Sequence, residues 1–414
     1  MMSGCAPQPG TGVADSITPV PEDSTPTPVP STSQTTSLNQ ITIWLPPRLA
    51  PNNVSPAGSL LSERLDAFQQ AYPNIDLDVR VKDETGPGGL METLVAASIA
   101  APDALPDVIA LNPIDLNTAT LKGLIGPLVE RIEAPKTPEW YEHAIDATRF
   151  GGDFYGLPIA SDAEVLVYRT ALYGSTPRAW SDILAQPSTF IFPAGDPAAT
   201  FTLAQYLALG GQTTDESGRP MLDPTTLAEV LAFYGATHKA NTLPISTLQY
   251  TTIEETWAVF RSQQISSAVA SLNSFLSEGN FNTTSATAIP TRNELGTSFS
   301  ETWSWAFVTR DPARQQLAAE LLTWLTQPEF LGAWTYELKL LPPTAAALAR
   351  WPEGPESALV SSLVTIATPK PSAEGMATFG PPLRSAVEAV LVNGATPSAA
   401  ALSASQTLQT TPTE

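Results

Sequence analysis

The chain has 414 residues, 43% of them hydrophobic, with 41 acidic against 20 basic side chains and a formal net charge of −21. That length and apolar content allow two or three compact domains, or one large domain with two lobes. The charge argues against nucleic acid and anionic membrane as partners, since phosphate binding needs clustered Lys and Arg. A single cysteine excludes an intrachain disulfide or a multi-cysteine metal site.

That cysteine is Cys5, in Met2-Ser3-Gly4-Cys5. An apolar residue, two small ones and then cysteine resembles the end of a bacterial lipoprotein signal, where the cysteine receives the lipid. The bland alternative is a stray thiol in a floppy tail. A secretory signal needs a basic start and about 7–15 apolar residues, so residues 1–5 read as the remnant of one. Residues 6–37, APQPGTGVADSITPVPEDSTPTPVPSTSQTTS, are mostly Pro, Thr and Ser. They cannot bury enough surface to offset their ordering entropy and read as a disordered tether. One lipid chain holds weakly, so multiple acylation is expected. No later stretch reaches ~18 uninterrupted apolar residues, which leaves the lipid as the one membrane contact expected.

The folded part is expected to begin at Leu38. QITIWLP, ending at Pro46, reads as a strand. Leu61, Leu65, Phe68 and Tyr72 recur at helical spacing. NIDLDVRVK alternates Ile75, Leu77, Val79 and Val81, as a strand with one buried face does. A helix with Leu90, Leu94 and Ala97 follows, then PDVIALN as a buried strand. This order implies a mainly parallel α/β sheet, with ligands beyond the strand ends, here after Trp44 and Leu111. Asp223-Pro224 and Asp311-Pro312 each announce a helix, Asp capping free N–H groups while Pro takes the first turn. The last long helix holds Leu383, Val387, Val390 and Leu391; the Ala/Ser/Thr-rich end reads as a last weak helix and then a tail frayed over 401–414.

Motifs of common enzyme chemistry are missing. There is no HExxH, GxSxG or GxxxxGK[ST], and GPGGLM (86–91) lacks the third glycine of a dinucleotide fingerprint. His143 and His238 read as surface or satisfied core residues. No cofactor and no metal is expected. Two carboxylates could still make a glycosidase, which needs no special motif.

The most informative stretch is FGGDFYGLPIASDAEVLVYRTAL (150–172): a glycine turn, the apolar run YGLPI, the acid Asp162, and EVLVYR alternating as a strand. Asp162 reads either as a solvated strand end or as a polar group facing a cleft. The stretch resembles the central signature of the family-1 extracellular solute-binding proteins of bacterial ABC transporters, the sugar binders that include maltose-binding protein. Arg169 stands where that signature ends in Asn. FQQAYPNIDLDV, PDVIALN with LKGLIGPL, PRAWSDIL, ALGGQTTDESGRPMLD and LTWLTQPEFLGAWTYELKLLPPTAAAL resemble further family segments in the family's order. The turn at Leu340-Leu341-Pro342-Pro343-Thr344 lacks the family's arginine.

The resemblance implies a two-lobed α/β fold of the periplasmic-binding-protein type (type II), with a ligand cleft between lobes and three hinge crossings. It puts residues 38–160 and 291–326 in an N-lobe and 161–290 and 327–400 in a C-lobe. The crossings would fall near Ala160–Val165, Ile289–Thr291 and Thr326–Glu329. Aromatic faces would stack on sugar rings while carboxylates and amides take the hydroxyls. The ligand residues it implies are Trp44, Arg48, Asn112, Asp115, Asp162, Asp196, Phe201, Asn273, Trp303, Trp305 and Phe379. Spacing puts Trp303 and Trp305 on one strand face, where a core stripe is the alternative. The function implied is the lipid-anchored, non-catalytic, sugar-binding component of an importer. It would be monomeric, outside the cytoplasmic membrane, with permease subunits as partners. A polyol phosphate or an organic acid is the alternative ligand; only Arg48 and Arg169 would serve an anion. A polysaccharide-degrading enzyme is a third reading.

Overall fold

The computed structural model describes residues 39–410 except Asn53, Val129, Glu130, Thr137, Pro187, Gln263 and Gln264. Cys5, the expected tether and residues 411–414 lie outside the described residues. The first half opens with β1 (Gln40–Leu45), α1 (Pro56–Ala71), β2 (Asp76–Val81), α2 (Leu90–Ala100), β3 (Val108–Leu111) and α3 (Pro113–Leu121). Polar caps start α1 and α3: the Ser55 hydroxyl accepts from Gly58 N–H, and the Asn112 side chain from Asp115 N–H, each with a proline in the first turn. α4 (Glu142–Asp146) and a small hairpin, β4 (Arg149–Phe150) with β5 (Asp153–Phe154), lead into β6 (Leu157–Arg169). The hairpin turns on Gly151 and Gly152, at φ 60° and 98°, a region that favours glycine.

After β6 come α5 (Trp180–Leu184), β7 (Phe190–Ile191), α6 (Thr200–Ala208), α7 (Pro224–Lys239), α8 (Ile253–Arg261), β8 (Ser267–Ser271), α9 (Leu272–Glu278) and β9 (Thr284–Thr287). The chain then returns through β10 (Ser298–Phe307), α10 (Pro312–Leu325), α11 (Pro328–Leu338), α12 (Ala345–Leu348), α13 (Pro355–Leu363) and β11 (Ala367–Pro369). It ends in α14 (Ala373–Leu391) and α15 (Pro397–Thr410).

The main sheet runs β2-β1-β3-β10-β6-β8-β7, with β11 beside β10 and β9 beside β6. β1 is parallel to β2 and β3, but β10 is antiparallel to β3 and β6, and β6 to β8 and β9. The sheet is therefore mixed, not mainly parallel: local order revealed the opening crossovers, not the returning β10. β2 is an edge strand with no fully buried residue; Ile75, just before it, carries the burial instead.

β6 is the spine of the molecule. Its first residues pair with β10 and its last with β8 and β9. Of the two readings of Asp162, the solvated strand end does not hold: one 13-residue strand runs through it. What changes there is the core. Leu157, Ile159 and Ala160 pack with the helices around β1 and β3, whereas Val165 and Val167 pack with α8, α9 and α13. The tail also differs from expectation: Ala400, Ala401, Ala404 and Leu408 are buried on α15, in one core with residues of α7 and α14. Alanines permit that close approach, which composition alone does not reveal.

Two buried polar groups carry clear energetic consequences. Asp107, 1% exposed, receives a two-pronged bond from Arg314 on α10 and the Thr42 N–H of β1 at 2.8 Å. Removing one partner of such a pair strands a charge, so Arg314→Ala should cost about 3–5 kcal/mol in denaturant unfolding. His143, 1% exposed on α4, has its pKa pulled down to about 4 by burial, against a pull upward from the Val364 backbone. The unfolded imidazole titrates near ~6.5 and binds protons the folded one refuses. Its stabilising contribution is therefore complete above that pH and lost as pH falls toward 4, by roughly 3 kcal/mol. His143→Gln should flatten that part of the stability profile, measured by denaturant titration from pH 7 to 4.

Candidate ligand-binding cleft

A cleft of about 490 Å³ opens where β6 passes from one set of cores to the other. Its floor is the strand pair β6–β10. Asp162 and Glu164 lie two residues apart on β6, and Glu301 and Trp303 two apart on β10, so each pair points to one face. Glu301 stands opposite Asp162 in register, a like-charge pairing that is unfavourable by itself.

Two cations answer it. Lys370, just after β11, reaches Glu164 at 3.0 Å and Glu301 at 2.8 Å. Burial works to lower the pKa of Lys370, but the two carboxylates outweigh it and hold the ammonium protonated. Burial pushes Glu164 upward, against the pull of Lys370. Arg48, in the turn after β1, lies with its guanidinium 5.6 Å from the centre of the Trp303 ring and attracts Asp162. Asp162 accepts from the Ala163 and Asn273 backbone N–H groups at 2.8 and 3.0 Å; burial still raises its pKa overall.

The far wall belongs to α6, α8 and α9. Asp196 accepts from Ala198 N–H and Thr200 N–H, each at 2.9 Å, and so caps the start of α6. The loop it sits in is tight: a Cβ on Gly195 would meet the Leu248 carbonyl at 2.4 Å, and one on Gly380 the Pro197 carbonyl at 2.3 Å. Thr251, Thr252, Glu254, Ser271 and Ser274 complete the polar lining.

Of the residues singled out in the sequence, Arg48, Asp162, Asp196, Phe201, Asn273 and Trp303 line this cleft. Phe201 is mostly core, stacked on Phe192 at 4.2 Å, and the Asn273 amide is bonded to Leu338 O at 2.8 Å. The others lie elsewhere. Trp44 is 2% exposed, packed among α2 and α3 with Lys82 over its ring. Asn112 caps α3 and bonds Asp115 at 2.9 Å, so each is occupied with the other. Trp305 shares a core with Trp303, but it lies deeper and stacks on Trp334 of α11 at 6.5 Å. Phe379 is in the core beside α6 and α7. Arg169 is turned away, bonded to the Ile265 and Phe260 carbonyls at 3.0 and 2.7 Å.

Glu164, Glu301 and Lys370 were not singled out in the sequence. The acids were findable: each is the period-two neighbour of a chosen residue, and Glu164 interrupts an apolar strand. Lys370 had no local signal. Among the described residues, no group of three or more His, Cys, Asp or Glu could hold a metal ion, and no helix is long and apolar enough to cross a membrane.

A polar cleft over the strands that join two core systems is the arrangement of a two-lobed α/β binding protein. Several solved structures share the fold. One is a cyclo/maltodextrin-binding protein complexed with maltotetraose, 18% identical, covering 90% of this chain and 96% of that one, TM-score 0.67. Another is a cyclic α-maltosyl-1,6-maltose binding protein from Arthrobacter globiformis, 16% identical, 89% and 97% covered, TM-score 0.70. A third is the sugar-binding protein MalE from Xanthomonas citri, 17% identical, 89% and 96% covered, TM-score 0.69. No curated protein matches the chain. The model of the family described as bacterial extracellular solute-binding protein matches residues 63–361, and the chain belongs to that family.

Two substitutions test the packing of the site. Trp305→Ala should cost about 3–5 kcal/mol of unfolding free energy, as full burial requires. Lys370→Met strands Glu164, so its cost should be about 3–5 kcal/mol near neutral pH and shrink on acidification, as Glu164 takes up a proton. Denaturant curves at two pH values separate this from a simple packing loss, which would be pH-independent.

Proposed function

We propose that the protein is the carbohydrate-capturing component of an ABC importer, holding a mono- or oligosaccharide in the cleft above β6 and β10 and delivering it to permease subunits. The observation that carries this reading is the cleft itself, lined by carboxylates, hydroxyls, an arginine and the mostly buried Trp303, on the fold of a solute-binding family. Sugars present an apolar C–H face and a polar rim, and an aromatic ring with hydrogen-bonding groups around it matches both. The solved neighbours include proteins described with maltotetraose and as sugar-binding, which favours the same ligand class here.

Closure would bend the chain near Ala160–Val165, Ile289–Thr291 and Thr326–Glu329, with residues 38–160 and 291–326 moving against 161–290 and 327–400. The change of core along β6 supports the first of these. The role needs no catalysis, and no nucleic-acid partner is expected of so acidic a chain. An organic acid or polyol phosphate is a poorer fit, because Lys370 is already held between two carboxylates. Cys5, lipidated and followed by residues 6–37 as a spacer, would keep the monomer at the outer face of the cytoplasmic membrane.

A thermal-shift screen of neutral sugars should raise the melting temperature, because a ligand that binds only the native state stabilises it. Trp303→Ala should then weaken binding of the best sugar by roughly tenfold or more in calorimetry. Turnover of oligosaccharides by the purified protein would overturn the transport reading. With a complete secretion signal upstream, Cys5 should incorporate labelled palmitate in a bacterium and Cys5→Ser should not; equal labelling would remove the anchor.

A further inference from the structure

The cleft holds more carboxylates than cations, and each can be matched in turn. Asp196 is bonded to the backbone N–H groups that start α6. Glu254 stands in the first turn of α8, where free N–H groups and the helix dipole favour an anion. Asp162 has two backbone donors and the attraction of Arg48. What remains is Glu164 and Glu301 around the single ammonium of Lys370. This group is one cation short. Its unmatched charge falls on Glu301, whose side chain is 50% exposed while that of Glu164 is only 4% exposed.

In the open cleft, water screens Glu301. A bound solute displaces that water, and uncompensated charge becomes costly once desolvated. A hydroxyl can donate a hydrogen bond there but leaves the charge in place. An ammonium does both: it donates and cancels. Arg48 lies over the Trp303 ring on the Asp162 side and makes no ion pair with Glu301, and no other cation lines the cleft among the described residues.

We propose that the solute carries a protonated amine, as an amino sugar or an oligosaccharide containing one, and that Glu301 receives this amine beside Lys370. The inference rests on the carbohydrate reading above and narrows its ligand class.

The test is calorimetric titration at pH 7 with glucosamine and galactosamine, as mono- to trisaccharides, each beside its N-acetylated and its plain hexose counterpart. The amine form should bind about tenfold more tightly than its matched neutral forms, and added salt should reduce the preference. Glu301→Gln should abolish the preference, bringing the amine and its matched neutral forms to equal affinity, whatever the substitution does to hexose binding itself. A cooperative denaturant transition of Glu301→Gln shows that the variant folds. A neutral sugar that binds as tightly as its amine, or a preference that survives Glu301→Gln, overturns the proposal and leaves the carbohydrate reading standing. Sodium or calcium chloride that alone raises the melting temperature of the wild type, but not of Glu301→Gln, also overturns it, since an inorganic ion then fills the place. Binding of no sugar of either kind brings down both readings.

Discussion

Lys370 stands between Glu164 and Glu301, and the geometry of the cleft follows from that contact. The two acids belong to β6 and β10, the strands that carry the sheet from one set of cores to the other. Asp162 and Glu301 face each other across those strands, so the floor would repel itself without a cation. The ammonium comes from β11, which pairs with β10 over Ser298–Ser300, and the Lys370 N–H bonds Ser300 O at 3.1 Å. Backbone pairing thus brings the charge to its place, and the charge allows the acids to stay on the strands.

The aromatic part of the cleft shows how shared residues divide between stability and binding. Trp303 and Trp305 belong to one core, yet β6 carries an irregularity where they pair: Trp303 stands opposite Ala160 and Ser304 opposite Pro158. Trp305 is covered by Trp334, whereas Trp303 meets Arg48 and the open cleft. Losing either ring removes core surface, but only Trp303 also borders solvent that a ligand would displace. Phe201 repeats the pattern on the other wall, lining the cleft while its ring packs on Phe192.

The tight loop at Asp196 links the cleft to the last long helix. Asp196 orders the start of α6, and Gly380 of α14 lies against the Pro197 carbonyl with no room for a side chain. α14 also carries Pro381 and Pro382 within its span. Packing far along the chain, in residues with no polar function, therefore sets where a carboxylate of the cleft stands.

The sequence by itself determined the elements whose cause is local. Asp223 and Asp311 cap the helices they announce, and β1, β3 and β6 lie where apolar runs put them. The ordered family motifs foretold the two-lobed fold, and the same resemblance pointed to Arg48, Asp162 and Trp303, which line the cleft. Tertiary structure decided the rest, because the deciding contacts span long stretches of chain. The mixed sheet depends on β10 returning between β3 and β6. The burial of Trp44 and Trp305 depends on what packs over them, and their spacing is the same whether a ring meets a helix or a ligand. Lys370 was invisible for the same reason: it is an ordinary surface-type lysine in sequence, and only the pairing of β11 with β10 delivers it to two acids more than sixty residues away in the chain.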